Sequence, residues 1–191
     1  METSYYTPDE LLSLGLKKFG TNVLISRKSS IYKPEVIKIG DNVRIDDYSI
    51  LSGGSGIELG SYIHIACFCA LFGGAGIRMG DFSGLSARVT VYSESEDYSG
   101  MSLTNPTIPK EFKPVFDSGL VSIGRHVIIG VNSTVLPKVT INEGAAIGAH
   151  SLVIENCDAW SIYYGTPVRR IKKRSRNLLE LEKEFLNGLN L

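Results

Sequence analysis

Three kinds of side chain in this 191-residue chain could do chemistry. The histidines are few and far apart: His64, His126 and His150. An acidic cluster, Glu94, Glu96 and Asp97, sits in Ser93-Glu94-Ser95-Glu96-Asp97-Tyr98-Ser99-Gly100. The one dense basic run is Arg169-Arg170-Ile171-Lys172-Lys173-Arg174. A histidine changes charge near neutrality and so can act as a base. A carboxylate can orient an amine and take its proton late, and clustered Arg and Lys suit phosphate groups. Each has a plainer reading too, since most surface charge is simply solvated. His126 and His150 fall at turn positions and are expected to be exposed, whereas His64 is a candidate base. Cys67, Cys69 and Cys157 form no CxxC pair and leave an odd thiol under any pairing, which reads as a reducing, cytoplasmic setting.

Composition narrows the partners. Lys+Arg 20 balances Asp+Glu 20, so nothing overall draws the chain to nucleic acid or to an anionic membrane. No apolar run approaches the roughly 18 residues of a membrane span, and Met1 to Glu10 is polar and acidic, so neither a span nor a signal peptide is expected. The length suits one well-buried domain and is too short for two.

The elements that must position these groups follow from an unusual period. Ile123, Ile129, Val135, Ile141, Ile147 and Val153 recur every sixth residue, where a helix needs 3.6 and a simple strand 2. This is the pattern of a parallel β-helix, an all-β prism in which each hexad forms one short face. Further upstream, Ile39-Gly40-Asp41, Leu59-Gly60-Ser61 and Met79-Gly80-Asp81 lie 20 residues apart (59−39 and 79−59). Those coils are therefore three hexads plus a pair taken up in Gly-rich turns. The register places first and fifth residues inward, so Cys69 belongs to the core, and stacks Arg44, His64 and Gly84 on one outer face. The beat stops at Tyr92 and resumes at Val121. Tyr98, Phe112 and Phe116 give the interruption apolar anchors, which argues for a functional loop. Thr7-Pro8-Asp9-Glu10 reads as a capping box opening a short helix. Ser175 to Leu189 carries leucines and Phe185 at helical spacing. The expected organisation is a helical cap over residues 1–36, the β-helix over 37–164 with a loop inserted at 92–120, and a basic segment with a C-terminal helix over 165–191.

The hexads, the interruption, and then Ile123-Gly124-Arg125-His126-Val127-Ile128-Ile129-Gly130, Val135-Leu136-Pro137, Ile147-Gly148-Ala149-His150-Ser151 and Tyr164-Gly165-Thr166-Pro167-Val168-Arg169 resemble the hexapeptide-repeat acyltransferases. The resemblance covers about residues 37 to 173. It implies a left-handed β-helix, a homotrimer with active sites in the clefts between subunits, and acetyl-CoA as donor. Asp97-Tyr98-Ser99-Gly100 with Leu103-Thr104-Asn105-Pro106-Thr107 further resembles the branch that acylates amino groups of nucleotide-linked dideoxy sugars in O-antigen pathways. Carried over by position, CoA contacts fall on Val131 and Ala149, on Ile154 along the channel, and on Arg169 and Lys172 at the phosphates. O-acetylating members use a loop histidine as base; the matching position here is Glu96, and the loop has no histidine. A hydroxyl acceptor needs a positioned base more than an amine does, so this favours an amine, with Glu96, Asp97 and His64 as candidate catalytic groups. Trimeric carbonic anhydrases share the solenoid and bind zinc through three histidines, two of them close in sequence. Here the gaps are 62 (126−64) and 24 (150−126), so no metal is expected.

The chain thus reads as a cytoplasmic, acetyl-CoA-dependent N-acetyltransferase of a nucleotide-linked amino sugar. Sugar O-acetylation and a non-catalytic β-helix scaffold are the alternatives.

Overall fold

An aliphatic side chain at every sixth position finds a common interior only if successive coils lie flat upon one another. The computed structural model, which describes residues 4–189, does this with three parallel sheets. The first wall stacks six strands, from Lys18–Phe19 through Ile37–Ile39, Ile57–Leu59, Ile77–Met79 and Val121–Ile123 to Thr140–Ile141. The second runs from Leu24–Ile25 through Arg44–Ile45, His64–Ile65, Gly84–Leu85, Ile128–Ile129 and Ala146–Ile147 to Ser161–Gly165. The third runs from Ser30–Tyr32 to Leu152–Val153. The result is a left-handed β-helix of about 7 turns with short terminal helices. Ile25, Ile45, Ile65, Leu85, Ile129 and Ile147 form a buried ladder in the second wall, and Cys69 is fully buried in the core.

Coil length follows the sequence period. Lys38 pairs with Glu58 and Glu58 with Arg78, 20 residues apart, whereas Ser122 pairs with Thr140, 18 apart (140−122). The extra pair sits in turns such as Gly53-Gly54, where Gly54 has φ +54°, a conformation glycine adopts without penalty. Elsewhere positive φ falls on larger residues. Tyr62, Phe82, His126 and Trp160 take it at the corner between the first and second walls, and Tyr48, Phe68, Arg88, Asn132 and His150 at the next corner. Stacking offsets the strain, as in Tyr62 on Phe82 at 4.7 Å and Phe82 on His126 at 5.3 Å. His126 is therefore buried, 7% exposed, rather than exposed as its turn position suggested.

Helix α1, Pro8–Ser13, has the capping box read from the sequence, with Thr7 N donating to Glu10 Oε2 at 2.7 Å and Leu11 inserted into the core. Arg27 also grips Glu10 and, with the cap, draws its carboxyl down to about 2. The wall itself already begins at Lys18, inside the segment 1–36 assigned to the cap, because Lys18 and Phe19 pair in register with Lys38 and Ile39. After Ser161–Gly165 the chain reverses, and Val168–Lys173 closes the second wall as an antiparallel edge. Helix α2, Leu178–Gly188, crosses the first corner. Phe185 stands edge-on to Tyr62 at 5.4 Å, and Glu182 pairs with Arg125 and lies 2.8 Å from His126 Nε2. Residues 1–3 and 190–191 of the terminal segments lie outside the described residues. Among the described residues no helix is long and apolar enough to cross a membrane.

Candidate active site

The prism interior is filled with aliphatic side chains, so chemistry is confined to its outside. On the outer face of the second wall Arg44, His64 and Gly84 stand in register, as the period requires. His64 is half-exposed, with Nε2 2.8 Å from Asp46 Oδ2. Arg44 Nε donates to Asp46 Oδ1 at 2.7 Å, and the Tyr5 hydroxyl donates to the same oxygen at 3.3 Å. Burial opposes charge on Asp46, but the hydrogen bonds from His64 and Arg44 outweigh it and hold the carboxyl below the ordinary carboxylate range. An ionised carboxylate only accepts, so His64 Nε2 carries the hydrogen. In the neutral ring Nδ1 is then the basic nitrogen.

Beside this pair lies a shallow groove of about 320 Å³, lined by His64, Ala66, Gly84, Ser86 and Ile128 and ending at Ala87. Neither Asp46 nor Ser86 was singled out from the sequence. The signal for Asp46 was present: it lies 18 residues before His64, two short of a 20-residue coil, and so diagonally across adjacent strands. Ser86 gave no comparable signal.

From Ala87 a column of corner residues climbs through Val131 to Ala149, since Asn132 N donates to Ala87 O and His150 N to Val131 O. At its top Thr166 Oγ1 donates to His150 O at 3.1 Å, in the turn that leads into the basic strand. Arg169 lies just past that turn, opposite Tyr164, and shares a small pocket with Ile154 and Pro167. Lys172 is three residues further, opposite Ile162, and exposed. Arg174 departs from the rest of the run. Its Nη1 donates to the carbonyls of His126, Gly144 and Ala145 at 2.7, 3.1 and 3.3 Å, so it ties the last coils together, and burial lowers its pKa.

The inserted loop leaves the third wall after Tyr92 and rejoins the first at Val121. It therefore projects from the corner opposite the second wall, and within one chain the structure does not bring Glu96 and Asp97 to His64. Glu94–Ser95 pairs antiparallel with Asp117–Ser118 to form the loop's stem. Glu96 Oε1 lies 3.4 Å from Lys113 Nζ, which also donates to Asn105 O. Asp97 accepts from the hydroxyl and N–H of Ser99 and from the N–H groups of Met101 and Ser102. These bonds shape the loop and lower the carboxyl's pKa. The aromatics expected to anchor the loop do not do so: Tyr98 is 93% exposed, Phe112 56% and Phe116 41%. Burial also raises the thiols of Cys69 and Cys157 to about 11, far from nucleophilic thiolates.

No protein-family model matches the chain. A dTDP-4-amino-4,6-dideoxy-D-glucose acyltransferase of Escherichia coli is 45% identical over 183 residues, covering 95% of each chain. The crystal structure of AntD, an N-acyltransferase from Bacillus cereus in complex with dTDP and 3-hydroxybutyryl-CoA, is 50% identical. It superposes with a TM-score of 0.96 over 100% of both chains. A variant of that enzyme, in complex with dTDP-4-amino-4,6-dideoxyglucose and coenzyme A, superposes with a TM-score of 0.95 at 50% identity, over 98% of this chain and 100% of its own.

Proposed function

The chain belongs to the hexapeptide-repeat acyltransferases, among the enzymes of dTDP-linked amino sugars. On that premise we propose that it moves an acyl group, acetyl in the simplest case, from a CoA thioester to the 4-amino group of a dTDP-linked 4-amino-4,6-dideoxyhexose. The observation that carries this reading is the near end-to-end match to an enzyme bound to dTDP and an acyl-CoA in one structure and, as a variant, to dTDP-4-amino-4,6-dideoxyglucose and coenzyme A in another. The acceptor nitrogen attacks the thioester carbon, the C–S bond breaks, and CoA leaves as the thiolate. His64 Nδ1, held outward by Asp46, takes the proton that the nitrogen sheds. Backbone N–H groups stabilise the tetrahedral oxyanion. The pantetheine arm follows the corner column past Val131 and Ala149 toward Ile154, and Arg169 and Lys172 meet the CoA phosphates. From Ala87 to Ala149 that column spans two coil steps, roughly 9–10 Å at ordinary strand spacing.

The working form is a homotrimer. The loop projects from the corner opposite His64, and its exposed Tyr98, Phe112 and Phe116 form an apolar surface suited to a neighbouring subunit. Each cleft then combines one subunit's second wall with another's Glu96 and Asp97. The enzyme works in the cytoplasm, where CoA thioesters and nucleotide sugars are available, and supplies acylated sugars for polysaccharide of the O-antigen kind.

The test is thiol release from acetyl-CoA and from 3-hydroxybutyryl-CoA. It should rise with dTDP-4-amino-4,6-dideoxyglucose and stay at background with the 4-hydroxy analogue. Equal release with both acceptors would favour O-acylation, and no CoA binding by calorimetry would leave only a scaffold.

A further inference from the structure

Gly84 occupies the middle of the outer face, between His64 in the preceding coil and Ile128 in the following one. Most glycines of the solenoid are forced by close approach. A Cβ on Gly40 would lie 2.6 Å from the Gly60 carbonyl, and one on Gly130 would lie 2.5 Å from Ala149 N. Gly84 is under no such constraint. A Cβ there meets only His64 O, at 3.6 Å, an ordinary contact, and the backbone is not in the left-handed region. Glycine inside a strand is destabilising relative to alanine, so the fold alone gives no reason for it.

What its missing side chain creates is a notch in the groove floor. Strand spacing sets His64 and Ile128 roughly 9–10 Å apart across it. The His64 ring is drawn away from the notch, toward Asp46. On the other side stands Ile128, 47% exposed, and the floor between them is the Gly84 backbone. The notch is thus apolar, open, and next to the nitrogen that takes the proton. The acceptor ring keeps two hydroxyls and an amine that need polar partners and gains little from such a surface, whereas a hydrocarbon chain gains by leaving water.

We infer that Gly84 sets the length of acyl group this enzyme transfers: the notch receives the end of an acyl chain longer than acetyl, with Ile128 as its apolar wall. This rests on the acyltransferase reading above. The test compares wild type with Gly84→Ala and Gly84→Val. With dTDP-4-amino-4,6-dideoxyglucose as acceptor, the ratio of kcat/KM for 3-hydroxybutyryl-CoA to that for acetyl-CoA should fall about tenfold or more in Gly84→Val, with Gly84→Ala between. The calorimetric affinity ratio of the two thioesters should move the same way. Thermal melts should show both variants folded. An unchanged donor ratio overturns the inference, as does a rise confined to the KM of the sugar, which would put the acceptor in the notch. Loss of the native oligomer on light scattering also overturns it, because a neighbouring subunit would then fill the space. If wild type transfers neither acyl group, the transferase reading fails. The calorimetric ratio still decides the notch, because a ratio that Gly84→Val leaves unaltered removes it.

Discussion

Asp46 fixes the tautomer of His64 on the outer wall. Arg44 and Tyr5 occupy Asp46 Oδ1, which leaves Oδ2 to hold His64 Nε2. Removing the proposed base and removing its orienter should therefore differ in kind. His64→Ala should lower kcat about 10²- to 10⁴-fold, the usual range for a lost general base. Asp46→Asn keeps the imidazole but offers its ring nitrogen an amide, so a smaller loss of about tenfold is expected, with the KM for CoA unchanged. Steady-state kinetics on both variants checks this: no loss in His64→Ala would remove His64 from the chemistry, and equal losses would mean that Asp46 does more than orient it. Asp46 stays ionised well into acid, because its folded pKa is depressed. Its titration therefore contributes nothing to the activity profile near neutral pH, and a change appears only as pH falls through its folded pKa. His64 was legible as a candidate because the period fixed its direction. Asp46 carries a signal too, its spacing of 18 from His64 (64−46), but that diagonal lies outside the in-register columns that the period stacks.

Among the elements, the terminal hairpin and α2 act as a latch on the last coils. Val168–Lys173 adds to the second wall, Arg174 reaches back to three carbonyls, and Glu182 and Phe185 clamp α2 to the aromatic corner. Arg174→Ala takes this donor from the His126 and Gly144 carbonyls, while Ala145 O keeps the Ile128 N–H, and should lower unfolding stability by about 1–3 kcal/mol. Urea melts would measure it. Lys172→Ala, an exposed change on the same strand, should leave stability within about 0.5 kcal/mol while weakening CoA binding. Composition put both residues in one basic run. Only their directions separate a structural guanidinium from a surface cation.

For the whole molecule, the proposed site draws on residues from opposite sides of a prism. The loop and His64 are separated by the body of the β-helix, so a common cleft requires a second chain. Co-expression of His64→Ala with Glu96→Ala tests this. In a 1:1 mixed trimer a cleft is intact when its wall comes from one variant and its loop from the other, so about a quarter of the clefts should recover (½ × ½). Activity no higher than the mean of the two single variants would mean that each subunit works alone, or that Glu96 serves only its ion pair with Lys113.

The amino-acid sequence by itself determined the solenoid: its walls, its coil lengths of 20 and 18, the inward position of Cys69 and the outward column of Arg44, His64 and Gly84. It could do so because a period is a local property, and burying an aliphatic residue in every hexad leaves one register open. Tertiary structure alone decided what breaks the period. It buried His126 beneath Phe82 and α2, turned Arg174 onto carbonyls, left Tyr98, Phe112 and Phe116 facing outward, and set the loop opposite His64. These outcomes depend on side-chain direction and on contacts between segments far apart in the chain, and no spacing in a single stretch encodes either.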